Sequence, residues 1–343
     1  MAEKGMNRYM KKPGSLPTMK DVAREAGVSL GTVSKVINGI SVGESYRRKV
    51  EEASKKLGYQ VNSYARALKT NQTNCVALIL PSIRHPFFAA LADDITAALM
   101  QRGYRTLLMI TNYDSEAEQK SITMVRQNKV DGIIALTYNP ELDIDSSIPF
   151  VTIDRHIHSG IPCVSSDNFG GGQIAARKLI ELGCRNLLFM RIGSDVAGEA
   201  DKRGAGFESI CRSSNTEYHS IILSDDETEE PFFRYLEDHC PAGIPDFDGI
   251  FCNTDSLAVR VMDKLRSLGI SIPEQVQVIG FDGIVDNMSG RYYCSTIIQP
   301  VKQMAETAVN ILLDQNRTEL PALMSLPVRY ISYGTTKDGI NGQ

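Results

Sequence analysis

A lysine ammonium and several hydroxyls stand at the start of one short helical segment. The stretch KDVAREAGVSLGTVSKVIN begins at Lys20, breaks at Gly27 and resumes at Ser29. Its second piece presents Ser29, Leu30, Gly31 and Thr32 in its first turn, with Lys35 one turn on. Lys35 can donate to guanine O6 and N7, and Ser29, Thr32 and Ser34 can reach phosphates or base edges. Leu30 cannot hydrogen-bond. It can pack on a thymine methyl or, in a blander reading, be buried as a staple residue. Gly31 reads nothing but lets a helix come close to what it faces. The chemistry on offer is recognition of a nucleic-acid duplex with few reading groups.

Other chemistry is thinly represented. NFGGGQ, from Asn168, lacks the Lys-Ser/Thr of a P-loop and the spacing of a dinucleotide fingerprint, so opening a tightly packed helix is its expected role. His156 and His158 alternate as on a strand, but no third metal ligand is near in sequence, and a solvated loop is the reading. No G-x-S-x-G or similar nucleophile motif occurs, so neither catalysis nor a cofactor is expected. Seven cysteines, at 75, 163, 184, 211, 240, 252 and 294, form no C-x-x-C pair and read as reduced thiols of a cytosolic protein. The first residues, MAEKGMNRYMKKPGSLP, have no apolar h-region, and no run of about 18 apolar residues exists that could span a membrane.

Charge and pattern show which elements must position these groups. Net charge is -4, but residues 1–70 hold 14 Lys/Arg against 6 Asp/Glu, and the remainder 23 against 35. A basic head on an acidic body is the asymmetry expected when one end meets a polyanion. Thr18-x-x-Asp21 reads as a capping box opening a helix through Ala26, Gly27 suits a turn, and Ser29 caps a helix running to about Asn38. Val33, Val36 and Ile37 face Val22, Ala23 and Ala26. A third helix, Glu44 to Leu57, sets Tyr46, Val50, Ala53 and Leu57 on one side, and Arg47, Arg48, Lys49, Lys55 and Lys56 on the others. Three short helices with this turn make a helix-turn-helix unit, whose second helix enters the major groove by its N-terminal end. After the polar QVNSYARALKTNQT, seven apolar strands (VALILP, TLLMIT, GIIALT, FVTID, LLFMR, GIFCN and VQVIGFD) alternate with amphipathic helices. That alternation predicts a doubly wound α/β core, and the strand number predicts two similar lobes with a ligand cleft between them.

The segments KDVAREAGVSLGTVSKVING, LGYQVNSYARALKT, HPFFAAL, VDGIIAL, DNFGGGQIAARKLIELG, RGAGF, SIPEQVQVIGFDG and IIQPVKQMAETAVNILL together resemble the LacI/GalR (lactose-repressor/galactose-repressor) family, in the family's order and over nearly the whole chain. The resemblance implies an all-α helix-turn-helix head and an α/β core of two doubly wound parallel-sheet lobes like a type I periplasmic binding protein. The implied layout is an arm at 1–17, the head at 18–60, a hinge helix and linker at 61–74, and the core at 75–343. One lobe takes 75–167 with 299–328, the other 168–298 with 329–343. A homodimer on palindromic double-stranded DNA is implied, controlled by a small molecule in the cleft. Lys20, Ser29, Leu30, Gly31, Thr32, Ser34, Lys35 and Asn38 become the DNA-facing positions of the head, and Asn62, Ala65, Arg66 and Leu68 those of the hinge. Leu68 would be the wedge that kinks the minor groove, with unstacking costing about a few kcal/mol per step. Val61 stands where the family usually has proline.

Phe87, Phe88, Asp154, Arg203, Thr254, Asp282 and Gln299 match effector-binding positions. Arg203 and the two carboxylates suit paired hydroxyls, and a phenylalanine suits the apolar face of a sugar ring. A sugar is the first expectation; nucleosides and a protein co-repressor stay open. The competing class is a solute-binding protein of a sugar transport system, which the basic head and the missing signal peptide argue against.

Overall fold

The computed structural model describes residues 17–59, 73–139, 141–144, 147–157, 160–194, 196–224, 228–286, 288–314 and 321–341. The chain divides into two units, 1–73 and 74–343.

In the first unit, helices α1 (Met19–Ala26), α2 (Leu30–Ile37) and α3 (Glu44–Leu57) close around Val22, Ala23, Val33, Val50 and Ala53. Local chemistry sets their ends. The Thr18 backbone N–H and hydroxyl both donate to the Asp21 carboxylate at 2.8 and 2.7 Å, completing a capping box. Gly27 turns the chain at φ 62°, a conformation that costs glycine little. Tyr46 departs from the sequence expectation. At 51% exposure it stays out of the core, because it sits in the first turn of α3 and lies over Gly43 instead. The hinge positions Asn62, Ala65, Arg66 and Leu68 fall outside the described residues.

The second unit contains two six-stranded sheets. One comprises β1 (Cys75–Leu80), β2 (Arg105–Ile110), β3 (Gly132–Ala135), β4 (Phe150–Ile153), β5 (Cys163–Ser166) and β11 (Leu323–Leu326), in the order β11-β5-β4-β3-β1-β2 and parallel throughout. The other comprises β6 (Asn186–Ile192), β7 (Glu217–Leu223), β8 (Gly249–Cys252), β9 (Gln277–Asp282), β10 (Ser295–Ile298) and β12 (Arg329–Ile331), in the order β12-β10-β9-β8-β6-β7. Only β12 pairs antiparallel among these. The chain crosses between sheets after β5, after β10 and again between β11 and β12.

Alternate residues of each strand feed opposite faces, as period-two geometry requires. Val76, Leu78 and Leu80 pack under α4 (Pro86–Gln101) and α10 (Val301–Leu313), while Ala77 and Ile79 meet α5 (Ser115–Gln127). In the second sheet Leu188, Met190, Ile250 and Cys252 face α8 (Glu230–Asp238) and α9 (Asp255–Ser267). Leu187, Phe189, Phe251 and Phe281 face α6 (Asn168–Glu181) and α7 (Lys202–Ser213). Helices α6 and α7 touch backbone to backbone. A Cβ on Gly172 would lie 1.9 Å from the Arg203 carbonyl oxygen, and one on Gly206 2.0 Å from that of Phe169. The glycines of NFGGGQ therefore serve close helix packing, which fixes the helix carrying Arg203.

Candidate effector cleft and nucleic-acid interface

Leu30, which opens α2, is 44% exposed, so the staple reading fails and its side chain is available to a partner. Gly31, Lys20 and Lys35 are exposed too, and Lys35 makes no ion pair among the described residues. The remaining polar groups serve the helix itself. Ser29 Oγ accepts from the Thr32 N–H at 3.1 Å and lies 2.9 Å from the Thr32 hydroxyl. Asn38 Nδ2 donates to the Ser34 carbonyl at 2.7 Å and reaches the Ser34 hydroxyl at 3.3 Å, closing the last turn. Gly31 has no local duty. A Cβ there would meet only Ser29 Oγ, at 3.6 Å, and its backbone is ordinary helix.

In the core, strand order reverses between β1 and β3 in one sheet and between β6 and β8 in the other. Open α/β sheets bind ligands at such switch points, beyond the carboxyl ends of the strands. A cavity of about 160 Å³ lies there, lined from both lobes. All seven residues matched from sequence border it. Phe87 and Phe88 open α4 beyond β1, Asp154 follows β4, Arg203 begins α7, Thr254 caps α9, Asp282 ends β9 and Gln299 follows β10. Both phenylalanines are also buried in the first lobe's core, with ring centroids 5.7 Å apart. The Thr254 hydroxyl already accepts from the Leu257 N–H at 3.2 Å.

Arg203 is not a surface ion-pair member; it is 4% exposed. Its Nε donates to Asn168 Oδ1 at 2.7 Å and its Nη1 to the Asn253 carbonyl at 2.6 Å, with Asp282 Oδ1 at 3.5 Å. The guanidinium carbon stands 3.7 Å above the Phe281 ring, which fixes its plane. Gln299 Nε2 donates to Asp282 Oδ1 at 2.7 Å, and Gln299 Oε1 accepts from the Ser166 hydroxyl of the other sheet at 2.6 Å. A polar chain thus joins the lobes through Asp282. Burial pushes the Asp282 carboxyl upward in pKa, and Arg203, His85 and Gln299 oppose the shift. Burial raises Asp154 likewise, against a 2.6 Å hydrogen bond from the Ser165 hydroxyl and the charge of Arg203.

Sequence reasoning passed over several lining residues. His85, ahead of the two phenylalanines, places Nε2 3.9 Å from Asp282 Oδ2. Arg191, at the end of the apolar run LLFMR, pairs with Asp201. Arg155 stacks on Tyr138, its guanidinium carbon 4.2 Å from the ring centroid, and Tyr138 meets Tyr113 edge-on. A polar residue ending an apolar strand was the signal available for Arg191. The described residues include no group of three metal-ligating side chains; His156 is exposed, and His158 lies outside them. All seven cysteines are free, and burial pushes the thiols of Cys163, Cys184 and Cys211 up to about 12, which disfavours their thiolate form.

The fold and cleft define a two-lobed small-molecule-binding core joined to a helix-turn-helix head. Comparison with known proteins agrees on both parts. Residues 73–323 match the family of periplasmic binding proteins and the sugar binding domain of the LacI family, and residues 18–62 match bacterial regulatory proteins of the lacI family. A sucrose operon repressor of Streptococcus mutans is 34% identical over 92% of this chain and 98% of its own length. A ribose operon repressor of Halalkalibacterium halodurans is 31% identical over 96% and 99%. The Alkaliphilus metalliredigens periplasmic binding protein/LacI transcriptional regulator, solved with D-xylulofuranose, superposes with a TM-score of 0.67 at 30% identity, covering 77% of this chain and 99% of that one. The chain belongs to the LacI family of bacterial regulatory proteins. It is a DNA-binding transcriptional regulator, and the match over residues 18–62 separates it from a transport-system binding protein.

Proposed function

We propose that this chain is a repressor that grips a palindromic operator as a homodimer in the cytoplasm, and that a sugar in the inter-lobe cleft sets the grip. The single observation that carries this reading is convergence. Side chains at or just beyond the ends of eight core strands, drawn from both sheets, meet at one cavity, while the exposed end of α2 offers Leu30, Gly31 and Lys35. Lys35 reads guanine and Leu30 a thymine methyl; Lys20, Ser29, Thr32, Ser34 and Asn38 position the head on phosphates. Asn62, Ala65, Arg66 and Leu68 complete the contact from the hinge, between a head at 18–60 and a core at 75–343. Names of relatives point to sucrose or ribose as effector types, and a related complex to a furanose.

Coupling follows from the chain path. Residues 73 and 74 run directly into β1, whose carboxyl end leads to Phe87 and Phe88 in the cleft. A ligand that binds one lobe arrangement better than another shifts the population toward it and carries β1 along. The test is operator affinity by fluorescence anisotropy on a duplex selected from random sequence, with and without a panel of sugars. One sugar should change the operator Kd by about 5- to 150-fold. A panel in which sugars bind the core yet leave the operator Kd unmoved contradicts the reading.

A further inference from the structure

We propose that the effector of this cleft is a monosaccharide, and that residues 196–201, strapped to Arg155 of the opposite lobe, shut out a second sugar ring. This rests on the reading of the cleft as the effector site and narrows it. Two independent features of the lining carry it.

The first is volume. The cavity measures about 160 Å³. A cavity of about 150 Å³ takes one six-membered ring such as benzene, while drug-sized ligands fill about 300–1,000 Å³. One furanose or pyranose ring suits this space. A second ring would have to displace part of the lining.

The second is how that lining is held. Residues 196–201 lead from β6 of the second sheet toward α7, and Ala200 and Asp201 border the cavity. This strap is tied to the first lobe just beyond β4. The Arg155 guanidinium donates to the Val196 carbonyl, and the Glu199 N–H donates to the Asp154 carbonyl at 3.0 Å. Gly198 packs so closely on the same guanidinium that a Cβ would stand 2.8 Å from Arg155 Cζ. Arg155, itself part of the cavity wall, also lies over the Tyr138 ring, with Cζ 4.2 Å from the centroid. Tyr138 is fixed in turn, because its N–H donates to the buried Glu118 carboxylate at 2.9 Å. The strap is tied within its own lobe as well. The Gly198 N–H donates to Asp201 Oδ2 at 2.7 Å, and Oδ1 of that carboxylate accepts from Arg191 at the end of β6. A second ring would therefore have to break the latch between Arg155 and the strap. That cost is the repulsive element that separates the two ligand sizes. Arg155 acts here as a positioning residue, setting the size limit through the strap it holds.

The test is isothermal titration of the full-length protein with ribose, fructose and glucose, and with the disaccharides sucrose, maltose and cellobiose. A single extra methylene in a pocket is worth about 10–200-fold, so one monosaccharide should bind at least about tenfold more tightly than any of the disaccharides. Gly198→Ala sets a methyl against the guanidinium and loosens the latch. It should lower that preference by about fivefold or more, as loss of a hydrogen bond to a charged group does. Thermal stability should hold, since the extended backbone at residue 198, φ -150°, suits alanine. Arg155→Ala should lower the preference in the same way. A disaccharide that binds as tightly as the best monosaccharide overturns the single-ring class while leaving a sugar-controlled regulator in place. An unchanged preference in both folded variants overturns the role of the strap. If no sugar of either size binds or shifts operator affinity, both this proposal and the functional reading fall.

Discussion

The head and the cleft hold their working groups in opposite ways. On α2, Leu30, Gly31 and Lys35 stand in solvent, and every polar group the helix needs is supplied locally by Ser29, Thr32, Ser34 and Asn38. In the cleft, Arg203, Asp282 and Gln299 are buried and the first and last both donate to Asp282, so the groups proposed to meet a ligand also hold the lobes. The head can therefore change what it reads at little cost to its fold. The cleft cannot change what it binds without disturbing its own polar network.

The sharpest test of that contrast is Arg203→Ala. Removing the guanidinium leaves Asp282, Asn168 and the Asn253 carbonyl without their buried donor. Loss of one partner of a buried charged pair costs about 3–5 kcal/mol. Urea denaturation of the core should show that loss, together with loss of any sugar response. A stability change near zero would break the contrast.

Next in size is a pH effect from a carboxyl under the cleft floor. Asp255, at the start of α9, accepts from the Thr296 hydroxyl at 2.6 Å and the Ile284 N–H at 2.7 Å, bracing the turn after Asp282. Burial, then the charge of Asp282, pushes Asp255 up to about 8. Between the ordinary carboxylate range and about 8, the folded protein keeps a proton that the unfolded chain has lost. Stability therefore falls as pH rises through that window, by up to about 1.4 kcal/mol per pH unit from this group. Asp255→Asn should flatten the pH profile of the thermal midpoint; an unchanged slope would show that the carboxyl is ionised in the fold.

Smaller effects belong to the head. Lys35→Ala should cost about 1–3 kcal/mol of operator affinity, relax one base position, and leave stability within about 0.5 kcal/mol. Uniform loss on all duplexes would make Lys35 a phosphate contact. Gly31→Ala should stabilise the head by about 0.4–1 kcal/mol, since a Cβ there meets only Ser29 Oγ at 3.6 Å. The same change should weaken operator binding if α2 lies close in the groove. Unchanged operator affinity would place this face of the helix away from DNA.

Legibility in the sequence followed the same divide. The head could be read closely because its helices are set by local rules: a capping box at Thr18, a left-handed glycine at 27, a serine cap at 29. Tyr46 was misjudged because helical spacing alone does not say whether a neighbour covers the first turn of α3. In the core, the long apolar strands were legible. CVSS (β5), EYHSIIL (β7), STII (β10), LMSL (β11) and RYI (β12) were not, being short, polar or defined only by the neighbours they pair with. His85 and Arg191 escaped for a related reason. Nothing local marks a histidine before a proline, or an arginine ending a strand, as facing a partner on a distant segment.

The most direct measurement is anisotropy of a labelled palindromic duplex titrated with the intact protein across a salt series, with and without a sugar that binds the core. The account predicts a steep loss of affinity with salt, from phosphate contacts of the head, and a change of about fivefold or more in operator Kd on saturation with the sugar. The same sugar should change nothing in Arg203→Ala. A protein that ignores every duplex at low salt, or whose operator affinity stays fixed while its cleft fills, would contradict it.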